Sequence, residues 1–184
     1  MHKAITLSGS IRQNSYNRRL AQLMAAKLAA AGAEVLQINL ADFELALFNA
    51  DLEAQKGEPE AAIILANHFA NADVVFIASP EYNSSVSPLL KNTIDWISRQ
   101  KNAPFKNAVF GIGAASPGKM AGISGLAHLR DILSKLGALV APATLGIGNA
   151  DKAFDQSGQL LEAAANRRAD NLVSQLMNIS RKSA

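Results

Sequence analysis

Two segments concentrate side chains able to do chemistry. The first, Ser8-Gly9-Ser10-Ile11-Arg12-Gln13-Asn14-Ser15-Tyr16-Asn17, gathers hydroxyls, amides and a guanidinium. Placed between a strand and a helix, such a loop suits an anion, because free backbone N–H groups and the positive end of the helix dipole face it. A phosphate there would accept bonds from Ser10, Ser15 and backbone amides, with Arg12 as charged partner. Arg18 and Arg19 follow in the first helical turn, where acids are normally favoured, and a bound phosphate would make them tolerable. The same residues also read as a polar turn with a Ser or Asn cap and solvated arginines. The second segment is Ser79-Pro80-Glu81-Tyr82-Asn83-Ser84-Ser85-Val86-Ser87-Pro88. Tyr82, Asn83 and Ser85 offer an aromatic face, an amide and a hydroxyl, suited to a planar heterocycle; a turn with Tyr82 packed on its rim is the plainer alternative. The two tyrosines of the chain, Tyr16 and Tyr82, fall in these two segments.

Other chemistries lack their parts. With no cysteine there is no disulfide framework, thiolate nucleophile, redox pair or Cys-ligated zinc. His2, His68 and His128 are scattered, and the latter two fall within helical patterns as packing or surface residues. Gly113-Ala114-Ala115-Ser116-Pro117-Gly118-Lys119-Met120 is one residue short of a P-loop, and Met120 stands where a magnesium-binding hydroxyl belongs. Gly111-Ile112-Gly113 opens like a dinucleotide fingerprint, but Ser116 takes the place of its third glycine. Asp95 and Trp96 read as a helix-face acid and a core or interface indole.

Charge separates along the chain. The formal net charge is +3, with 18 basic and 15 acidic residues. Residues 1–33 carry Lys3, Arg12, Arg18, Arg19 and Lys27 and no acid, so the remainder is slightly acidic. A nucleic-acid binder spreads its basic residues along a face. Here the excess surrounds one short loop, which points to a small anion and away from nucleic acid. The N-terminal apolar run is too short for a signal peptide and no window reaches membrane-span length, so a cytoplasmic protein without membrane partners is expected.

The elements that must position these loops alternate along the chain. Ala4–Leu7, Val35–Ile38, Val74–Ala78 and Ala108–Ile112 read as strands. Leu139–Ala141 and Thr144–Leu145 flank Pro142 and suggest a fifth, edge strand. Leu20, Leu23, Met24 and Leu28 recur at helical spacing up to Gly32. Pro59 suits the first position of a helix carrying Leu65 and Phe69. Ser87 and Pro88 suit the N-cap and first residue of another, with Leu90, Ile94 and Ile97 on one face. Leu126 to Leu136 and Leu161 to Ile179 complete the helices, and 40–58 reads as an irregular, acidic, solvated segment. Strands alternating with helices indicate a single α/β domain over 1–184, with a parallel sheet covered on both faces. Ligands then lie beyond the carboxyl ends of the strands.

Gly9-Ser10-Ile11-Arg12-x-x-Ser15-x-Asn17-x-x-Leu20, followed by Pro80-Glu81-Tyr82-Asn83-x-Ser85 and Leu90-Lys91-Asn92-x-Ile94-Asp95-Trp96, resembles the NADPH-dependent FMN reductase family over essentially the whole chain. The resemblance implies a flavodoxin-like three-layer sandwich with five parallel strands in the order 2-1-3-4-5, FMN as cofactor and NAD(P)H as co-substrate. The implied acceptors are small molecules: flavins, quinones, azo compounds or metal oxyanions. It implies FMN phosphate contacts at Ser10, Arg12, Ser15, Tyr16 and Asn17, ring contacts at Pro80, Glu81, Tyr82, Asn83 and Ser85, and an approach by Ser116. It also implies a homodimer or homotetramer with flavins near subunit interfaces, and no residue acting as acid, base or nucleophile. Two departures stand out. Ser87-Pro88 replaces the family's Pro-Gly, and Ala121-Gly122-Ile123-Ser124 replaces its Gly-Gly-x-Arg, which bears on the preference for NADPH. A flavodoxin-like electron carrier is the alternative, although such carriers tend to lack arginine in the first loop.

Overall fold

The computed structural model describes residues 1–179; the expected domain's residues 180–184 lie outside them. Five parallel strands form the main sheet: β1 (Lys3–Ser8), β2 (Glu34–Ile38), β3 (Val74–Ala78), β6 (Val109–Ala115) and β7 (Leu139–Ile147), in the order β2-β1-β3-β6-β7. This is the expected 2-1-3-4-5 order. The intervening numbers belong to a short hairpin, β4 (Glu81–Tyr82) and β5 (Ser85–Val86), outside the sheet.

The sheet is wound on both faces. Helices α1 (Tyr16–Ala30) and α6 (Ala163–Asn178) cover one face, where Leu20, Met24, Leu172 and Leu176 pack against Ala4, Val74 and Phe76. Helices α3 (Glu60–Asn71), α4 (Pro88–Ser98) and α5 (Ile123–Lys135) cover the other. There Leu65, Ile94 and Leu129 meet Ile5, Val75 and Ile112. Alternation along β1 therefore sends Ala4, Thr6 and Ser8 toward α1, and Ile5 and Leu7 away from it. The uncharged run in β3 is buried at every position because both of its faces are covered.

Several local expectations change. Segment 40–58 contains a 3₁₀ turn (Leu40–Asp42) and helix α2 (Ala50–Lys56), capped by the Asn49 side chain. It is also sewn to α4. Asn92 accepts from Phe48 N–H at 2.8 Å and donates to Ala46 O at 3.0 Å, and Trp96 Nε1 donates to the same carbonyl at 2.7 Å. The Phe48 ring meets the Trp96 indole edge-on at 5.0 Å, and Arg99 pairs with Glu53. Glu53 holds the Arg99 pKa above its ordinary value, first through the hydrogen bond and then through charge. Pro59 is the N-cap of α3, one residue outside the helix. Strand β6 runs on to Ala115, and its Gly111 admits Leu176: a Cβ on that glycine would lie 2.8 Å from Leu176 Cδ1.

The edge strand β7 is irregular around Pro142. Its register against β6 shifts between the pairs Phe110–Val140 and Ile112–Thr144. Arg130 of α5 donates to the carbonyls there, at 2.8 Å to Ala141 and 3.2 Å to Pro142.

Candidate functional site

The loops following β1, β3 and β6 converge because parallel strands end at one level. Ser8 pairs with Ala78, and Ala78 with Gly113. The ladder continues past the strands, with Gly9 N–H on Ala78 O at 2.9 Å and Ser79 N–H on Gly113 O at 2.8 Å.

In the first loop Ser15 is the N-cap of α1, its hydroxyl accepting from Arg18 N–H at 3.4 Å. Ser10 and Ser15 are buried, Tyr16 is half-buried, and Arg12 stands exposed at the mouth. Arg19 lies over the Tyr16 ring. Arg12, Arg18 and Arg19 make no ion pair among the described residues. Hydroxyls and the unpaired Arg12 guanidinium beside a helix N-terminus, with no acid in its first turn, form a donor set fitted to a phosphate.

Asn17, expected at the phosphate, has its side chain engaged within the protein. Its buried side-chain amide is used twice on one residue, donating to Ala115 O at 3.0 Å and accepting from Ala115 N–H at 2.9 Å. Asn17 thus ties the first loop to the end of β6. A second tie runs from Ser87, the N-cap of α4, whose hydroxyl donates to Gly9 O at 2.7 Å. Packing there is close: a Cβ at Gly9 would lie 3.0 Å from Leu90 Cβ and 3.1 Å from Pro80 Cδ, so any larger residue would make those neighbours give way.

The second segment is the β4–β5 hairpin. Its turn residues, Asn83 and Ser84, have φ of 49° and 63°, as a two-residue I′ turn requires. Asn tolerates this conformation well and Ser less so. Tyr82 is half exposed, Asn83 is exposed, and Pro80 is buried beneath them. Glu81 turns inward. Its carboxylate accepts from Gly125 N–H at 2.7 Å, in the first turn of α5, whose N-cap Gly122 has no side chain to do this. Ser85 contacts His128 Nδ1 at 3.1 Å. His128 and Gly125 are therefore partners of the hairpin that sequence reasoning left out; helical periodicity carries no signal for contacts across the fold.

Ser116 lies at the end of β6. Its N–H donates to Ile147 O at 3.0 Å, and its hydroxyl accepts from Gly118 N–H at 3.2 Å. The near-P-loop segment forms bends here and leads to exposed Met120, while the N-cap of α5 comes only at Gly122. No cluster of three or more His, Asp or Glu able to hold a metal occurs among the described residues.

The first loop is thus polar and acid-poor at a helix N-terminus, and the hairpin presents an exposed tyrosine. The first is suited to a phosphate and the second to a flat ring.

Residues 2–152 match the family model described as NADPH-dependent FMN reductase. The chain is 35% identical over 177 residues to a quinone reductase of Escherichia coli, spanning 95% of this chain and 91% of that protein. It is 37% identical over 166 residues to an NAD(P)H-dependent FMN reductase of Pseudomonas aeruginosa, covering 89% and 86% of the two. Among solved structures, the flavoenzyme NAD(P)H:(acceptor) oxidoreductase from Paracoccus denitrificans superposes with a TM-score of 0.80 at 24% identity, covering 98% of this chain and 100% of that one; this likeness is one of fold.

Proposed function

The chain belongs to the NADPH-dependent FMN reductase family, and from that premise we propose an NAD(P)H:acceptor oxidoreductase that reduces quinones, flavins, azo compounds or metal oxyanions in two alternating half-reactions. FMN, when bound, would supply the hydride chemistry that links NAD(P)H to the acceptor. The protein's own part is positioning. Ser10, Arg12, Ser15 and the backbone of Tyr16 and Asn17 hold the phosphate. Pro80, Tyr82, Asn83 and Ser85 line the ring, with Glu81 fixing their hairpin and Ser116 facing it from β6. The single domain over 1–184 acts in the cytoplasm as a homodimer or homotetramer. No helix among the described residues is long and apolar enough to cross a membrane.

The observation that carries this reading is the tie between loops: Asn17 and Ser87 hold the phosphate-type loop against the ends of β6 and α4, beside the hairpin. Steady-state NAD(P)H oxidation with a quinone acceptor tests it. Turnover dependent on FMN is expected; FMN-loaded protein without turnover would instead make the chain an electron carrier. Arg12→Ala should weaken FMN binding and reduce its salt sensitivity, since one screened charge contact is removed.

A further inference from the structure

Between α1 and the ends of β1 and β2 lies a polar cleft of about 220 Å³, which Ser10 of the first loop also lines. That is several times the ~30 Å³ of a liquid water. Thr6, Ser8, Ser10, Arg18, Gln22 and Gln37 line it, and no carboxylate does. Asn39, also on the wall, donates its amide to Asp42 at 3.1 Å. Thr6 is the telling residue. It is 1% exposed, and its hydroxyl is buried without a hydrogen-bond partner. A buried hydroxyl without a partner is destabilising, and valine would fill the same strand position without it. Thr6 lies in register with Gln37 on β2, so both face the α1 side. Across from them Arg18 makes no ion pair among the described residues.

We propose that this cleft is a second anion site, taking a phosphate group held by Arg18 and by the Thr6 and Ser8 hydroxyls, distinct from the phosphate contacts assigned to FMN. Ser8 already accepts from Ser10 N–H at 3.2 Å, which leaves its own proton free to donate. Two sources share this chemistry: free inorganic phosphate, and the 2′-phosphate that distinguishes NADPH from NADH. The cleft opens beside Ser10, so an occupant there also bears on the first loop.

The test titrates inorganic phosphate against FMN-saturated protein at constant ionic strength, following amide resonances of Ser8, Ser10, Gln37 and Asn39. Saturable binding is expected. Thr6→Val should weaken it about tenfold while retaining flavin, and Arg18→Gln at least as much, as for hydrogen bonds to a charged group. Gln22→Ala, on the exposed wall, gives a variant whose fold is not at risk and should weaken it about fivefold. If the nucleotide is the source, phosphate competes with NADPH but not NADH, and Thr6→Val loses that difference; if free phosphate is the source, it competes with neither. Absence of saturable binding, or affinity unchanged in all three variants, overturns the site. Flavin content, read from the visible spectrum of the same samples, reports the fate of the FMN reading separately.

Discussion

The Glu81 carboxylate is the N-terminal cap of a helix more than forty positions along the chain: it accepts from Gly125 N–H at 2.7 Å. The hairpin and α5 press together here, a Cβ at Gly125 lying only 3.1 Å from Ser85 O. Glu81→Ala should cost about 1–2 kcal/mol, as loss of a helix cap does. Glu81→Gln keeps an acceptor oxygen and should recover most of it. Denaturant unfolding of both variants, with FMN affinity measured alongside, checks this.

Asn17→Ala strands the buried N–H and C=O of Ala115 and should cost about 2–4 kcal/mol. Asn17→Asp is no rescue, since a carboxylate cannot donate to Ala115 O. Both variants should lose FMN affinity beyond what loss of stability explains, because the first loop is freed from β6. Titration with FMN at a temperature where each variant is folded separates the two effects.

Ala121 stands at φ 53°, the left-handed conformation that costs a non-glycine residue about 1–2 kcal/mol. Ala121→Gly should raise stability by about 0.5–1 kcal/mol once glycine's greater unfolded-state freedom is set against the relief. Ser84→Gly, in the hairpin turn at φ 63°, should do the same. Thermal unfolding of the two single variants and the double variant tests both gains.

Trp96→Phe keeps an aromatic ring near Phe48 but removes one of the two donors to Ala46 O, leaving Asn92. A cost of about 0.5–1.5 kcal/mol is expected. Hydrogen exchange should accelerate across 40–58 more than elsewhere, since that segment depends on α4 for its place.

Asp155 accepts from the Ser157 hydroxyl at 2.7 Å and from Gln159 N–H at 2.9 Å, and these bonds hold its carboxyl below the ordinary value of 3.8. A depressed folded pKa means the stabilisation is whole above 3.8 and is lost as pH falls through the lower folded value. A carboxyl-carbon NMR titration should place the midpoint below 3.8, and Asp155→Asn should abolish that pH dependence.

What could be read in advance follows from burial and spacing. The uncharged, β-branched run at Val74–Ala78 announced a strand covered on both faces, and Ser87-Pro88 announced a helix start. Helix α2 carries no sequence signal because it buries no residue and so shows no apolar period. The β4–β5 hairpin is likewise silent because its strands are two residues long and its turn reads Asn-Ser where Asn-Gly is the usual signal. The polar residues of the first loop were legible as a set, but not their division of labour. The bond from Asn17 to Ala115 is not legible, because nothing in its neighbourhood names a partner so distant.

The guarded edge at β7 limits how copies of this protein can assemble. Pro142 offers no N–H to a new strand, the register shift bends the edge away, and Arg130 already occupies carbonyls of Ala141 and Pro142. Sheet extension along this side would have to break those contacts before forming any of its own. Association through helix and loop surfaces carries no such penalty, so growth into an open-ended ribbon is disfavoured on this side while closed assembly is left available.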